Sequence, residues 1–346
     1  LHIVVLFQRV QPPRSTCPEY CKYLEYEYAK DILSYLRELE AKRKRITFKS
    51  PQKHFRFTLV ELIKSAAEIQ RLNKTTIHLA VYLLDVFMDT YKIAPNKLSL
   101  VALTCVLVAA KIEERDRNIP RMHLLSSLVN GQYNKNEFKL VELKILSILN
   151  WNLLYPTAAT YVEFYACRMV SLEDFNNLRA GRSFTPPRSD FKSFNHLFCS
   201  ANGLIFEFLD LTLQEPRIMH IEPSVLAAAC LAAARKLCGL FPLWSKSLQA
   251  LTGYEIDVLT EIVGTLISFR EHHLPQRKDI TPDSGFLSDS NSESEEEQQS
   301  NVKSVYGVFL LAGFSTFLPK DFFNVFGFLF ETLSPSFFQV SSKYLN

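Results

Sequence analysis

The feature that most constrains the fold is an uncharged stretch, Leu98–Ala110, which reads LSLVALTCVLVAA. A helix that is apolar on every side must be buried on every side. The run is shorter than the roughly 20 residues that a helix needs to span a bilayer. It therefore predicts a central core helix, which ends abruptly in the charged residues Lys111, Glu113 and Glu114 at one edge of its domain.

A second stretch of the chain repeats this pattern. Residues 225–237 read VLAAACLAAARKL, and aligning Arg235 with Lys111 superposes apolar residues and an alanine pair along both stretches. The many alanines allow neighbouring helices to approach closely. Two similar central helices in one chain predict a duplicated all-helical domain.

The composition is that of a globular protein. The chain has 346 residues, enough for two or three domains, and 47% of them are hydrophobic. A net charge of +3 gives no field that favours nucleic acid. Seven cysteines without the spacing of a disulfide framework favour a reducing compartment. The first ten residues lack the charged start and the small-residue cleavage site of a signal peptide.

No pattern for catalysis or metal binding stands out in the sequence. Cys17 and Cys21 form a close pair, but no second Cys or His pair follows them, which argues against zinc. His78 lies in an apolar helix and His272–His273 end another, so both are interpreted as structural or solvated. There is no glycine-rich phosphate loop and no nucleophile–base constellation. We therefore expect no catalytic residue, no metal and no cofactor.

Apolar periodicity and turn residues divide the chain into two sets of five helices. The first set is predicted at residues 56–72, 75–91 (with Thr75 as N-cap), 98–114, 120–129 and 135–149. Pro156 breaks the pattern. The second set is predicted at residues 157–170, 191–211, 223–240, 242–252 and 255–273. A leading helix is predicted within 18–45, and the Pro-, Arg- and Ser-rich stretch 173–190 is expected to be a surface loop.

The leading helix ends in a basic run, Lys42, Arg43, Lys44 and Arg45. Such a run is typical of a nuclear import signal, which would place the protein in the nucleus in preference to the cytoplasm. Four cations at the C-terminus of a helix are equally well explained by favourable interaction with the helix dipole. Both interpretations stay open on the sequence alone.

The last quarter of the chain changes character. Residues 275–304 include the acidic, serine-rich stretch SDSNSESEEEQQS and are expected to form a disordered linker. Residues 305–346 hold ten of the 27 phenylalanines, and Lys320 and Asp321 interrupt their apolar runs, so no membrane span is expected. We assign this Phe-rich tail no role.

Several short motifs resemble the cyclin family. They are YAKDILSYLRELE at 28–40, IHLAVYLLD at 77–85, AAKIEE at 109–114, WNL at 151–153, PSVLAAA at 223–229 and TGY at 252–254. HLAVYLLDVFMD and PTAATYVEFY are most similar to the cyclin J branch. The resemblance implies an all-α fold with two five-helix cyclin boxes, at 46–154 and 155–274, preceded by an N-terminal segment and leading helix at 1–45.

The resemblance also implies a function. Cyclins are non-catalytic subunits that bind beside the mobile regulatory helix of a cyclin-dependent kinase and restore its catalytic Lys–Glu ion pair. Lys111 and Glu142 match the two family residues that bind kinase backbone. Ile112, Glu113, Glu114 and Trp151 belong to the same implied contact region. The alternative is a cyclin-fold scaffold in transcription or RNA metabolism that activates no kinase.

The substrate-docking patch of the family departs from its usual pattern. The matching positions are Phe55, Thr58, Leu59, Leu62 and Ser65, with Leu62 in place of a tryptophan and Ser65 in place of an acid. A neutral serine cannot accept the charge-assisted bond that an arginine of a docking peptide makes to a carboxylate. Weak or altered docking of arginine–leucine motifs is therefore expected.

Candidate phosphorylation sites lie in loops and in the linker. Ser50 and Thr185 each precede proline, with a basic residue at the third position after the phosphoacceptor. Ser284 and Ser288 flank Gly285 and Phe286 in a pattern that resembles a doubly phosphorylated degron, for which Thr281 could serve as a priming site. The implied partner is an F-box ubiquitin ligase receptor; chance occurrence in a Ser/Asp-rich segment is the other interpretation.

Overall fold

The computed structural model describes residues 29–182 and 191–273, and within these ranges every regular element is helical. The α-helices are α1 (Ala29–Ala41), α2 (Arg56–Ile69), α3 (Lys74–Thr90), α4 (Leu98–Glu113), α5 (Met122–Ser127), α6 (Lys135–Ile148), α7 (Ala158–Tyr165), α8 (Leu172–Arg179), α9 (Phe194–Thr212), α10 (Pro223–Leu237), α11 (Lys246–Thr252) and α12 (Ile256–His273). Helices α2–α6 form the first box and α7–α12 the second. The predicted all-α architecture of two helical boxes is confirmed.

The first box is built around α4, as its apolar sequence predicts. Every residue from Leu100 to Ala110 is buried, and α4 packs against α2, α3, α5 and α6. Pro95–Glu113 has the length and apolarity of a membrane span, but 67% of its most apolar window is buried inside the structure. Since burying one Leu or Val side chain contributes roughly 1.5–3 kcal/mol, the buried leucines and valines of α4 make a large contribution to the core of this box.

The second box repeats the arrangement around α10. This helix packs against α7, α9 and α12, and its alanines, Ala227–Ala229 and Ala232–Ala234, are completely buried. Small side chains at these positions let three helices approach one axis. The predicted pair of equivalent central helices is confirmed.

The two central helices differ at the aligned cation. Arg235 of α10 is fully buried, whereas Lys111 of α4 is exposed. The Arg235 guanidinium donates to both carboxylate oxygens of Asp174 at 2.9 Å. It also donates to the backbone carbonyls of Met169, Leu243 and Pro242. Arg235 is therefore a structural residue of the second box.

Helix α8 corrects the prediction that 173–190 is a loop. Ser171 caps this helix: its side chain accepts from the backbone N–H of Asp174, whose carboxylate accepts in return from the backbone N–H of Ser171. The Ser-x-x-Asp spacing is the local signal that the sequence interpretation missed. Asp174 then pairs with Arg235, so a contact 61 residues away secures α8. Residues 183–190 lie outside the described part of the chain.

Several predicted helix ends also need correction. Asn73, and not Thr75, is the N-cap residue of α3. The prolines at 120 and 242 precede their helices instead of starting them, because α5 begins at Met122 and α11 at Lys246, after the cap Ser245. Helix α1 ends at Ala41, before the basic run.

Helix α1 docks on the second box through two charged side chains. Arg37 donates to the Tyr254 hydroxyl at 2.7 Å and to the Thr252 carbonyl at 2.5 Å. Glu40 accepts from the Ser224 backbone N–H at 2.8 Å, the Ser224 hydroxyl at 2.7 Å and the Tyr161 hydroxyl at 3.2 Å. The N-terminal helix is thereby fixed at the first turn of α10.

An ion pair and a hydrogen bond from a buried arginine join the boxes. Lys74 of α3 pairs with Asp210 of α9 at 2.6 Å. Arg56 of α2 forms a two-pronged pair with Asp85 and also donates to the Leu213 carbonyl at 2.7 Å. Because Arg56 is buried, this link is shielded from solvent and fixes the first box against the end of α9.

Candidate partner-binding surface

Lys111 and Glu142 meet on one rim of the first box. Lys111 lies in the last turn of α4 and Glu142 in the middle of α6, and the Lys111 Nζ is 2.5 Å from the Glu142 Oε1. The two side chains are 41% and 17% exposed. The structure therefore brings together the two residues that the resemblance singled out, at a position that a partner can reach.

Helix α6 exposes apolar side chains beside Glu142. Leu140 is 60% exposed and Leu143 is 53% exposed, while Phe138 and Ile145 point into the core. An amphipathic helix normally keeps leucines on its buried face. These two leucines therefore mark an unusual apolar surface next to the Lys111–Glu142 pair.

Trp151 is the most exposed large apolar side chain in residues 29–182 and 191–273, at 69%. It follows a helix end in which the backbone N–H of Trp151 donates to the Leu146 carbonyl and that of Asn150 donates to the Ser147 carbonyl. Asn150 occupies the left-handed conformation that this type of helix end requires. Trp151 itself has φ +61°, an uncommon conformation for a bulky residue. The chain thus holds a tryptophan in solvent at some cost in backbone strain.

Glu114 does not join this surface. Only 3% of it is exposed, and its carboxylate accepts from the Asn73 backbone N–H at 2.6 Å, the Asn73 side-chain amide at 2.9 Å and the Thr76 hydroxyl at 2.8 Å. Glu114 therefore ties the end of α4 to the start of α3, in place of the partner contact that the sequence suggests. Ile112 is half-buried and packs against the core of the first box.

The carboxyl groups of Glu113 and of Glu163, a residue that the sequence interpretation did not include, both have raised pKa values. Burial raises the pKa of Glu113 to about 7, the neighbouring charge of Glu114 adds to the rise, and a hydrogen bond from Thr75 opposes it. Burial, followed by the charges of Glu113 and Glu114, likewise raises the pKa of Glu163 on α7 to about 7. The charge of a carboxyl group in the second box is therefore coupled to the two carboxyl groups at the end of α4. No sequence signal links positions 113 and 163, which are 50 residues apart.

The residues of the expected docking patch follow one side of α2 and the turn before it. Leu59 is buried, Phe55 and Leu62 are half-buried against the core, Thr58 is exposed and Ser65 is half-buried. Ile69, at 60% exposure, extends this apolar side by one turn beyond the predicted set. The nearby acid Glu61 already accepts from Lys64 and Gln214.

The basic run follows α1 instead of ending it, and half of it is held on α3. The guanidinium carbon of Arg43 lies 4.0 Å from the centre of the Tyr82 ring. Lys44 donates its backbone N–H to the Tyr82 hydroxyl and its ammonium to the Thr90 hydroxyl. Lys42 and Arg45 are exposed. The nuclear import interpretation stays a prediction, and in the folded chain two of its four cations are engaged.

One candidate phosphorylation site falls within the described residues. Ser50 is half-buried and starts a turn that leads into a short 3-10 helix, Lys53–Phe55. The next residues are held in place because Gln52 is buried and its side chain bonds the backbone of Ile93. A kinase that binds an extended peptide would have to unfold this turn. Thr185, Thr281, Ser284 and Ser288 lie outside the described residues, as do 275–304 and 305–346.

No group of three or more His, Cys, Asp or Glu side chains in residues 29–182 and 191–273 has the arrangement of a metal site. The buried thiols of Cys105 and Cys230 have pKa values raised by burial, so they are apolar core groups. The chemistry on this surface is that of recognition: one exposed ion pair, exposed leucines and a tryptophan.

Comparison with known proteins identifies both boxes. Residues 31–154 match the cyclin N-terminal domain and residues 190–281 match the cyclin C-terminal domain. Cyclin-J from Homo sapiens is 31% identical over 277 residues, which cover 76% of this chain and 67% of that protein. Cyclin-J from Xenopus laevis is 32% identical over 252 residues. This chain spans 62% of the length of the Xenopus protein.

A solved structure shares the fold. The X-ray structure of a viral cyclin from herpesvirus saimiri superposes with a TM-score of 0.50 and 20% identity, covering 69% of this chain and 96% of that one. This likeness supports the two-box fold alone. The domain matches and the similarity to Cyclin-J show that the chain belongs to the cyclin family.

Proposed function

We propose that this chain is a regulatory cyclin that binds and activates a cyclin-dependent serine/threonine kinase and so contributes to cell-cycle control, with the nucleus as its main compartment. The observation that carries the proposal is the Lys111–Glu142 pair on an exposed rim of the first box. Membership of the cyclin family supplies the partner class. The similarity to Cyclin-J supports the assignment to this branch.

The Lys111–Glu142 pair can exchange partners at low cost. A solvent-exposed ion pair contributes only about 0–1 kcal/mol to stability. The ammonium of Lys111 and the carboxylate of Glu142 can therefore turn to the carbonyl and N–H groups of a partner backbone, and charge-assisted bonds of this kind are stronger than neutral ones. In the free protein the pair keeps both side chains oriented.

The apolar side chains around the pair provide the contact area. Leu140, Leu143 and Trp151 are each more than half exposed, and all lie on α6 or at its end. Tryptophan anchors with large buried area dominate many protein interfaces, with polar groups around them. Burying these three side chains against a kinase would remove their apolar surface from water, which favours binding.

Activation follows from differential affinity. A subunit that binds the active conformation of a kinase more tightly than the inactive one shifts the kinase towards activity. In kinases the regulatory helix must bring its glutamate to the catalytic lysine, so a surface that packs against that helix in its inward position favours phosphoryl transfer. The cyclin contributes no catalytic residue to this step.

The first prediction tests kinase binding. Pull-down from dividing cells with the wild-type chain should recover one or more cyclin-dependent kinases, and the recovered complex should phosphorylate histone. Lys111→Ala with Glu142→Ala should reduce kinase recovery by at least about 10-fold, since charged hydrogen bonds are worth roughly 1.5–3 kcal/mol each.

The matched control removes another ion pair between two helices, Glu207 on α9 and Arg270 on α12. Glu207→Ala with Arg270→Ala should leave kinase recovery unchanged. Equal recovery by wild type and by the Lys111/Glu142 variant would contradict the proposed surface. Recovery of transcription or RNA-processing proteins without any kinase would favour the scaffold alternative.

The second prediction concerns the docking patch. We expect a peptide with an arginine–leucine motif to bind weakly by calorimetry, because Ser65 offers no charge and Glu61 is already bonded to Lys64 and Gln214. Ser65→Glu should strengthen binding of that peptide, while Ser65→Gln should not. Tight binding by the wild-type chain that Leu62→Ala abolishes would show the prediction wrong.

A further inference from the structure

We propose that the cavity between the basic run, the first box and the second box is a binding site for a small oxyanion of the phosphate class. The cavity has a volume of about 70 Å³. Its lining includes Arg43 from the basic run, His78, Arg56 and Asp85 from the first box, and the starts of α7 and α10 from the second. Three separate parts of the fold therefore line one cleft, which is partly open to solvent.

The charges around the cavity do not balance. Arg56 is neutralised by Asp85, with both nitrogen–oxygen distances below 3 Å. Arg43 forms no ion pair with any acidic side chain of the described residues, and its Nε is buried without a hydrogen-bond partner. Burial lowers the pKa of Arg43, while its hydrogen bond to Tyr82 and the charges of Glu40 and Asp85 oppose this change. Among the side chains that line the cavity, the charge of Arg43 is thus left without a direct ion pair, and a buried charge without such a pair is costly.

His78 supplies a second unsatisfied group. It is 5% exposed, and its Nε2 has no hydrogen-bond partner. Burial, aided by the charges of Lys74 and Arg43, lowers the pKa of His78 to about 3, so the imidazole is neutral at physiological pH. In the tautomer with its proton on Nε2, a neutral imidazole is a hydrogen-bond donor.

Two helix starts add positive potential. Thr157 and Ala158, at the start of α7, and Pro223, at the start of α10, line the cavity. The N-terminus of a helix carries a partial positive charge and favours anions. The start of α10 already holds one carboxylate, since the Ser224 N–H donates to Glu40. Two carboxylates lie near these groups, but Asp85 is paired with Arg56 and Glu40 is held by Ser224 and Tyr161.

The size of the cavity selects among occupants. One water molecule needs about 10–15 Å³ of such a volume, so the cavity has room for about five water molecules. The two nitrogens that lack a hydrogen-bond partner need fewer water molecules than that. A phosphate or sulfate group has five heavy atoms and presents four acceptors. Water would satisfy the hydrogen bonds but leave the charge of Arg43 uncompensated. A free inorganic anion and a phosphoryl group on a serine side chain share this chemistry.

The test uses the full chain and measures thermal denaturation in sodium phosphate and in sodium sulfate, each against sodium chloride of equal ionic strength. Phosphate should raise the melting temperature in a saturable manner that chloride does not reproduce, because a ligand that binds only the folded state stabilises it. Calorimetric titration with phosphate should give the dissociation constant directly. A parallel titration with O-phosphoserine distinguishes the two sources: binding at least as tight as that of inorganic phosphate points to a phosphorylated side chain.

Arg43→Gln should weaken phosphate binding by at least about 10-fold, because it removes a charge-assisted bond and the compensating charge. Lys42→Gln, which changes the adjacent exposed cation, should leave the dissociation constant unchanged. Arg43→Lys keeps the charge and should retain phosphate binding within a few-fold. This variant still tests the role of the charge if Arg43→Gln fails to fold. A phosphate effect no larger than that of chloride, or equal affinity in Arg43→Gln and wild type, would overturn the proposal.

Discussion

At the scale of single residues, the fate of each charged group depends on what surrounds it. Lys111 and Arg235 occupy aligned positions in two related helices, yet one is exposed and the other is completely buried. Glu113 and Glu114 are adjacent in the chain, yet Glu114 accepts hydrogen bonds from Asn73 and Thr76 while burial raises the pKa of Glu113 to about 7. The residue type alone therefore does not assign a role; the neighbours do.

The carboxyl group of Glu163 makes stability depend on pH. Its pKa is raised from 4.5 to about 7 in the folded chain, so the folded state keeps protons that the unfolded state has lost between these values. The neutral form contributes its full stability below pH 4.5, and this contribution is lost as the pH rises through about 7. Glu163→Gln should therefore exceed wild type in stability at pH 8 by roughly 1–2 kcal/mol, with the difference gone near pH 5.

Urea denaturation at several pH values measures this effect. The matched control is Glu173→Gln, which changes an exposed carboxylate on α8 and should leave the pH profile of wild type intact. A constant stability difference between Glu163→Gln and wild type from pH 5 to pH 8 would count against the raised pKa.

At the scale of elements, a short helix is secured by one buried ion pair. Helix α8 has eight residues and would be marginal in isolation. Asp174 accepts from the backbone N–H of the cap residue Ser171 and also pairs with Arg235 of α10. The same pair therefore determines that residues 172–179 are helical and neutralises the buried arginine of the central helix.

Asp174→Ala should destabilise the protein by about 3–5 kcal/mol, because it leaves the Arg235 charge buried and unpaired. Glu207→Ala breaks a pair in the same box whose acid is 39% exposed, and its cost should stay near 1 kcal/mol. Chemical denaturation of both variants provides the measurement. If Asp174→Ala lowers the free energy of unfolding no more than Glu207→Ala does, the buried pair contributes no more to stability than the partly exposed one.

At the scale of the whole molecule, polar contacts fix three parts to one another. Glu40 of α1 accepts from Ser224 and Tyr161 of the second box, and Lys74 of the first box pairs with Asp210 of the second. Arg56 reaches from the first box to the end of α9. Polar contacts therefore hold the first box, which carries the partner-binding surface, to the second box and join the leading helix to the second box.

Glu40→Ala should release α1 from the second box, since the Ser224 N–H would lose its carboxylate partner at a cost of about 1–3 kcal/mol. Hydrogen exchange of the amides of α1 should accelerate in this variant. Glu38→Ala, which truncates an exposed side chain on the same helix, should leave the exchange unchanged. Unaltered protection of α1 in Glu40→Ala would mean that apolar packing alone holds this helix.

Much of the helical layout could be predicted because it depends on local pattern. The central helices α4 and α10 were predictable from their apolar composition, and Pro156 marked the division between the two boxes. Helix α8 was not, because its capping motif lies in a polar stretch and its anchor, Arg235, is far away in the chain. The Lys111–Glu142 pair was found through a family resemblance; spacing alone could not have shown that the two residues touch.

The sequence by itself determined which helices are buried, since an uncharged run of aliphatic residues has only one stable environment in water, the interior of a fold. Only the tertiary structure decided the environment of the other side chains: that Arg235 turns inward, that Trp151 stays in solvent, that burial raises the pKa of Glu163, and that Arg43 and His78 line one cavity. The physical reason is that the free energy of burying an apolar side chain depends mainly on its own surface area, whereas the free energy of a charge depends on partners that distant parts of the chain supply.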